Sequence, residues 1–330
     1  MISQSTGEDA QLNLSDIEQA RVRIAPFVGR TPLWRSDALS LQLGTDVYIK
    51  YELFQKTGSF KVRGAFNRML SLTEAERPHG VVAVSGGNHA QAVAYAARKL
   101  GIRALIVMPE STPRNYVAAT KGYGAQVDLQ PTIADAFARI EHYRAEGMAF
   151  IHPFDDQQVM AGQGTLGLEI MEDVPDATDV FVSIGGGGLM SGVSTAIKGT
   201  DPAVKIWGVE TVGADAMAQA LAAGEPVRLE AITSIAKTLG APSVSDATLS
   251  CARNHLESVT VVPDAEAVES MVFILERLKV LTEPAASCTL AAANRLKDNF
   301  GPGSKVVLIF CGGNTGVNDL CGYRSLIATT

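Results

Sequence analysis

Short β-branched runs alternate with helix-length segments along most of this chain, and that alternation limits its fold more than any other feature. The runs GVVAVS (80–85), RALIVMP (103–109), AQVDLQ (125–130), DVFVSI (179–184), VKIWGVE (204–210) and KVVLIF (305–310) read as buried parallel strands. Between them, HAQAVAYAARKLG (89–101) and TIADAFARIEHYRAEG (132–147) carry apolar residues at three- and four-residue spacing, with Gly101 and Gly147 where helix C-caps belong. Ser15 and Glu18 form a capping-box pattern for a first helix, DIEQARVRIAPF. Alternation of this kind builds open, twisted parallel sheets with helices on both faces, an α/β architecture.

A chain of 330 residues with 46% hydrophobic content can fill more than one core, so two domains are expected. A net charge of −7 without a Lys/Arg cluster argues against nucleic acid and anionic membrane as partners. The N-terminus MISQSTGEDAQLNLSD is polar, and no apolar run approaches the roughly 18 residues of a membrane span. Cys251, Cys288, Cys311 and Cys321 are irregularly spaced and form no C-x-x-C pair. We therefore expect a cytoplasmic protein with free thiols.

In parallel sheets, ligands bind beyond the carboxyl ends of the strands, so the loops after strands matter most. SGGNHAQA (85–92) sets two glycines before a helix, a seat for an anion on bare amides and the positive end of a helix dipole. Its plainer reading is a turn with Asn88 as N-cap. GGGGLMSG (185–192) places four glycines between strand and helix where one would make the turn, which points to close approach of a phosphate. It satisfies neither the G-x-G-x-x-G fingerprint nor the P-loop pattern. CGGNTG (311–316) ends a buried strand with a thiol. In KTGSFKVRGA (56–65), Lys61 follows Phe60 in a glycine-punctuated turn, and on its own it reads most simply as a snorkelling surface lysine. Together these features suit pyridoxal phosphate, which needs a Schiff-base lysine, a phosphate cradle and a partner for its ring nitrogen.

From about Ile17 to Asn318 the chain resembles the fold-type II pyridoxal-phosphate enzymes (the tryptophan synthase β-like fold), in their serine/threonine dehydratase and serine racemase branch. GSFKVRGA, SGGNHAQA, VMPESTP, KGYGA, GQGTLGLEI, GGGGLMSG, VKIWGVE, TEPAAS and CGGN carry the resemblance, in that order. It implies that Lys61 holds the cofactor covalently while Phe60 packs on its ring. Gly185, Gly186, Gly187, Gly188 and Leu189 would give amides to its phosphate, Asn88 would bond its phenolic oxygen, and Cys311 would face its ring nitrogen. Ser85, Gly86, Asn88 and His89 would receive the substrate carboxylate. The resemblance also implies a large cofactor-binding domain (1–78 and 154–330), a small mobile domain (79–153) that closes over the substrate, and a homodimer.

Departures from the family pattern narrow the reaction. Val62 stands where cysteine and threonine synthases usually carry aspartate, and Gly86 where serine racemases carry a proton-donating serine. Only 16 residues follow Asn314, too few for a regulatory domain. The implied reaction is dehydration of an L-3-hydroxy amino acid, L-threonine or L-serine, to a 2-keto acid and ammonia, with Lys61 as base and little racemase activity. Phe137, near where acid-binding relatives have arginine, leaves room for an aryl substrate such as phenylserine, and SIAKTLGAP (234–242) departs from the commoner TIADG. Glu210 matches one family cation ligand, but Ala216 stands at the second position, so no metal is expected. Two other classes compete: a nicotinamide oxidoreductase, using the glycine loop with Glu210 as ribose acid, and a catalytically dead binding protein, which has no use for Lys61.

Overall fold

The computed structural model describes residues 12–327, and the polar segment 1–11 lies outside them. Ten strands form two sheets: β1 (Leu33–Arg35), β2 (Asp46–Tyr51), β3 (Val81–Val84), β4 (Ala104–Pro109), β5 (Gln126–Gln130), β6 (Ala149–Phe150), β7 (Asp179–Ser183), β8 (Lys205–Thr211), β9 (Ser258–Val262) and β10 (Lys305–Phe310). The larger sheet runs β1-β2-β10-β7-β8-β9 and the smaller β5-β4-β3-β6. Every pairing is parallel except β1 with β2, so the larger sheet is mixed rather than purely parallel. That edge strand has three residues and no alternation to betray it in the sequence.

The first helix starts at Leu14, not after Ser15. Asn13 and Asp16 make the capping box, two residues before the Ser15–Glu18 pattern. The earlier start lets Leu12 and Leu14 pack against the cluster formed by Ile17, Ala20, Ala161, Leu168 and Ala196. Gly101 and Gly147 both take positive φ just past helix ends, as expected.

One core fills the space about the larger sheet. The second joins β3 and β4 residues such as Val81, Ala83 and Ile106 to Val62, Phe66 and Met69 of the Lys61–Leu70 helix. That helix shares this core through the Asn88–Leu100 helix, which lies against β3 and β4, while Phe60, the residue just before it, bonds to Cys311 O at the end of β10. It also crosses the Gln157–Asp173 helix at glycine: a Cβ on Gly64 would meet Val159 O at 2.7 Å, and one on Gly162 would meet Gly64 Cα at 2.6 Å. Under this crossing lies a buried ion network, in which Arg63 bridges Glu52 and Glu169, and Lys50 holds Glu169 from the other side. The loops after the parallel strands meet around the start of the Lys61–Leu70 helix: 311–313 bonds to Gly58 and Phe60, Gly312 faces Asn88, and Gly186 and Gly188 pack on Phe154, next to the Pro153 whose carbonyl Lys61 meets.

Candidate active site

Two short turns after β2, with Thr57 and Gly58 at φ 64° and 73°, reverse the chain before Lys61. The reversal is fastened to the end of β10: Phe60 N donates to Cys311 O (3.1 Å), Gly313 N donates to Gly58 O (3.0 Å), and Ser59 bridges Gly312. Lys61 thereby becomes the first helical residue with its amine directed inward, not snorkelling. Nζ donates to Pro153 O at 2.8 Å and lies 5.1 Å from the centroid of the Phe60 ring. Among the described residues no carboxylate forms an ion pair with it. Burial lowers its pKa from 10.5 to about 8, opposed only by the nearby Cys311. A desolvated amine without a counter-ion is the state a nucleophilic or basic lysine requires.

The glycines of 185–188 have a steric cause that the sequence does not reveal. A Cβ on Gly186 would lie 2.1 Å from the Phe154 ring, and one on Gly188 would lie 2.8 Å from Phe154 Cα. Gly187 has φ +95° and faces Thr248 at 2.6 Å, while Gly185 faces Leu239 O at 3.1 Å. Close packing thus requires small residues at these four positions, so their number alone does not argue for a phosphate. The amides make that argument. Among the described residues, no protein acceptor meets the N–H groups of Gly185–Leu189, which open the Gly188–Thr200 helix. Ser191 Oγ, in the first turn, is buried and also without a partner. Such a cradle at a helix N-terminus fits a phosphate monoester.

At the end of β3, Gly87 is the N-cap and Asn88 the first helical residue, so the N-cap reading of Asn88 does not hold. The Asn88 side chain is gripped at both ends. Nδ2 donates to Glu283 Oε1 (2.9 Å) and Oε2 (3.1 Å), and Oδ1 accepts from Asn314 Nδ2 (2.7 Å). Glu283 also accepts from Thr238 Oγ1 (2.8 Å) and Asn314 N (2.8 Å). Tyr116 OH donates to Asn314 O. Burial raises the Glu283 pKa, while its three donors pull the other way. Glu283 is the residue that motif reading missed; its only sequence signal is the resemblance segment TEPAAS.

His89 Nε2 lies 2.9 Å from Ile151 O, so the ring must donate there, and buried Nδ1 is left as a bare lone pair. Burial and the charge of Lys61 hold its pKa down to about 3. A neutral ring in this tautomer cannot donate to a carboxylate. Any contribution of His89 to the carboxylate seat expected at residues 85–89 is confined to its backbone N–H. Ser85 Oγ accepts from Gly87 N at 3.1 Å and keeps its own hydrogen available.

Cys311 is buried at the end of β10, its thiol 3.6 Å from Ala285 O, and that carbonyl also accepts from Ser183 Oγ (2.6 Å). Burial first, then the charge of Glu283, keeps the thiol protonated. Glu210 is turned onto a helix start, accepting from Met217 N and Ala218 N at 2.8 Å each. This use removes the ribose role required by the nicotinamide reading. Phe137 is 36% exposed on the Ile133–Ala145 helix, and no ring contact or hydrogen bond among the described residues ties it to Lys61 or Asn88.

A half-buried lysine with an inward amine and no ion pair among the described residues, a bare amide cradle and a neutral thiol define a site built for an aldehyde cofactor with a phosphate tail. The chain matches the pyridoxal-phosphate dependent enzyme family over residues 24–312, and it belongs to that family. It is 42% identical to an L-threonine ammonia-lyase of Thermotoga maritima over 93% of this chain and 77% of that one. It is 39% identical to the catabolic L-threonine dehydratase TdcB of Escherichia coli K12, over 93% of this chain and 94% of that one. Among solved structures, maize serine racemase superposes with a TM-score of 0.90 at 36% identity, covering 96% of this chain and 97% of that one.

Proposed function

We propose that this chain is a pyridoxal-phosphate-dependent ammonia-lyase that eliminates water from L-threonine and L-serine, yielding a 2-keto acid and ammonia. The observation that carries the reading is the inward amine of Lys61, unpaired and held near pKa 8 beside the glycine cradle. The names of the two 39–42% identical relatives support L-threonine as a substrate. The bound cofactor supplies an electron sink that acidifies the substrate α-carbon. Lys61 Nζ takes that proton. At neutral pH a lysine of pKa 8 is about one-tenth neutral, against a few parts in ten thousand for an ordinary one. Amides of Gly185–Leu189 would hold the phosphate, Phe60 would flank the ring, and Asn88, oriented by Glu283 and Asn314, would bond the phenolic oxygen. The Cys311 thiol, kept neutral by burial and by Glu283, would partner the ring nitrogen and could not keep it protonated as a carboxylate would. This favours expulsion of the β-hydroxyl over reprotonation. Residues 79–153 close on the rest of the chain, using Asn88 and Tyr116 as their latches, and so exclude water.

A keto-acid release assay on L-threonine, L-serine, D-threonine and L-phenylserine tests the reading. Turnover is expected with the first two and not with D-threonine. Equal rates on both threonine enantiomers would defeat it, and a strong preference for phenylserine would replace the substrate. Because Glu210 is committed to backbone amides and Ala216 offers no ligand, chelation should leave the rate unchanged. A loss of more than about half the rate with EDTA, restored by magnesium, would refute that assignment.

A further inference from the structure

The loop after β4 brings a hydroxyl to the anion seat that neither the motifs nor the comparisons assign. Thr112 closes a turn there, its N–H donating to Pro109 O at 2.9 Å. Its side chain is 8% exposed, and Oγ1 is buried without a hydrogen-bond partner. Gly86 faces it from the neighbouring loop. A Cβ on Gly86 would lie 2.6 Å from Thr112 Oγ1 and 3.4 Å from its Cγ2. The hydroxyl therefore occupies the volume that a side chain at position 86 would fill. Buried hydroxyls are nearly always satisfied, and one that is not needs a reason.

The surroundings supply one. The Asn88–Leu100 helix opens at Gly87 with no side-chain cap, so its first-turn amides lack acceptors. Ser85 Oγ retains its own hydrogen. The His89 ring is spent on Ile151 O. Amides, the Ser85 hydroxyl and the Thr112 hydroxyl thus offer donors at one strand edge, and the helix dipole adds to them for a negative guest. Given the lyase reading above, on which this rests, we propose that Thr112 Oγ1 donates a hydrogen bond to the substrate α-carboxylate seated at this helix N-terminus. Gly86 is small so that the threonine can reach the seat. Thr112 is a binding residue for the carboxylate, not the base.

The holoenzyme and its T112V, T112S and G86A variants test this by titration with L-alanine, which has the carboxylate but no leaving group, and with L-alaninamide, which lacks the carboxylate. T112V should weaken L-alanine binding and raise KM for L-threonine about tenfold or more, with kcat changed less than about twofold. L-alaninamide binding should be unaffected. T112S should restore the carboxylate affinity. G86A, whose methyl turns the Thr112 hydroxyl aside, should reproduce the T112V loss and add nothing to it in the double variant. T112V should melt no lower than wild type, because it removes an unpaired buried hydroxyl; a purely structural threonine would lower the melting temperature. Equal L-alanine affinity in wild type and T112V, or equal losses for alanine and its amide, would overturn the proposal and leave the lyase reading standing. Wild type that binds neither ligand would sink both. If wild type converts L-alanine to D-alanine and T112V does not, the hydroxyl moves a proton, and the carboxylate role is wrong.

Discussion

Lys61→Met should abolish keto-acid release, by about 10⁴-fold or more, and yet make the cofactor-free chain more stable at neutral pH. Both effects come from the same amine. Its pKa falls from 10.5 to about 8 because burial penalises the ammonium form and no carboxylate repays the penalty. Below pH 8 the folded and unfolded chains both hold the proton, so the folded state bears the whole cost, about 3 kcal/mol. Between about 8 and 10.5 the unfolded state binds a proton that the folded state lacks, and wild-type stability rises with pH. Above that range the lysine is neutral in both states and the cost is gone. Methionine keeps the length without the charge, but it forfeits the bond to Pro153 O, worth about 1 kcal/mol. Urea melts of the cofactor-free proteins at pH 7 should therefore favour the variant by about 2 kcal/mol, and the gap should close by pH 10.5. A variant less stable than wild type at pH 7 would show that the amine is not desolvated at all.

The strands that position this site were legible because buried parallel strands are nearly uninterrupted β-branched runs; β3, β4, β7 and β10 lie within or beside the expected spans. Two strands lack that signature: β6 has two residues and β1 is a short antiparallel edge. β9 carries it in Val259–Val262 but is only half-buried over most of its length, and it was missed all the same. The capping box was misplaced because N-x-x-D and S-x-x-E overlap at 13–18, and only the packing of Leu12 and Leu14 chooses between them.

At the site, Lys61 and the three strand-end loops could be read because each is a local pattern. What could not be read is how the loops hold one another. Glu283 meets partners at positions 88, 238 and 314, and an acid directly before an N1 proline looks like an ordinary helix start. The His89 ring is set by a contact far along the chain, the carbonyl of Ile151 just beyond β6, which no local pattern around residue 89 announces. The tetraglycine run has two causes and the sequence separates neither: Phe154 and Thr248 require its small size, and its unpartnered amides carry its chemistry.

Two residues along the same helix, Arg63→Met should have the opposite sign and destabilise the chain by about 3–5 kcal/mol. Arg63 is fully buried and doubly bonded to each of two carboxylates, at 2.8 and 2.8 Å to Glu52 and at 2.7 and 2.9 Å to Glu169. Lys50, also buried, reaches Glu169 at 2.5 Å and Thr31 O at 2.8 Å. Two cations thus balance two anions, and the charge of Arg63, with that of Lys50, holds Glu169 below the usual carboxylate range against the effect of burial. Removing Arg63 leaves two buried carboxylates facing one ammonium, and one of them will take up a proton. That carboxyl then has a folded pKa above its unfolded value, so the variant loses stability as pH rises from 5 to 8. In the wild type the depressed Glu169 contributes stability above its unfolded pKa and loses it only as pH falls through its folded pKa. Arg63→Lys should recover little, since a single ammonium cannot span both carboxylates in the way a planar guanidinium does. Urea denaturation of wild type and both variants at pH 5 and pH 8 measures this. A deficit that is independent of pH would mean that the missing guanidinium acts through lost packing and not through charge, and the network beneath the lysine would then be steric in origin.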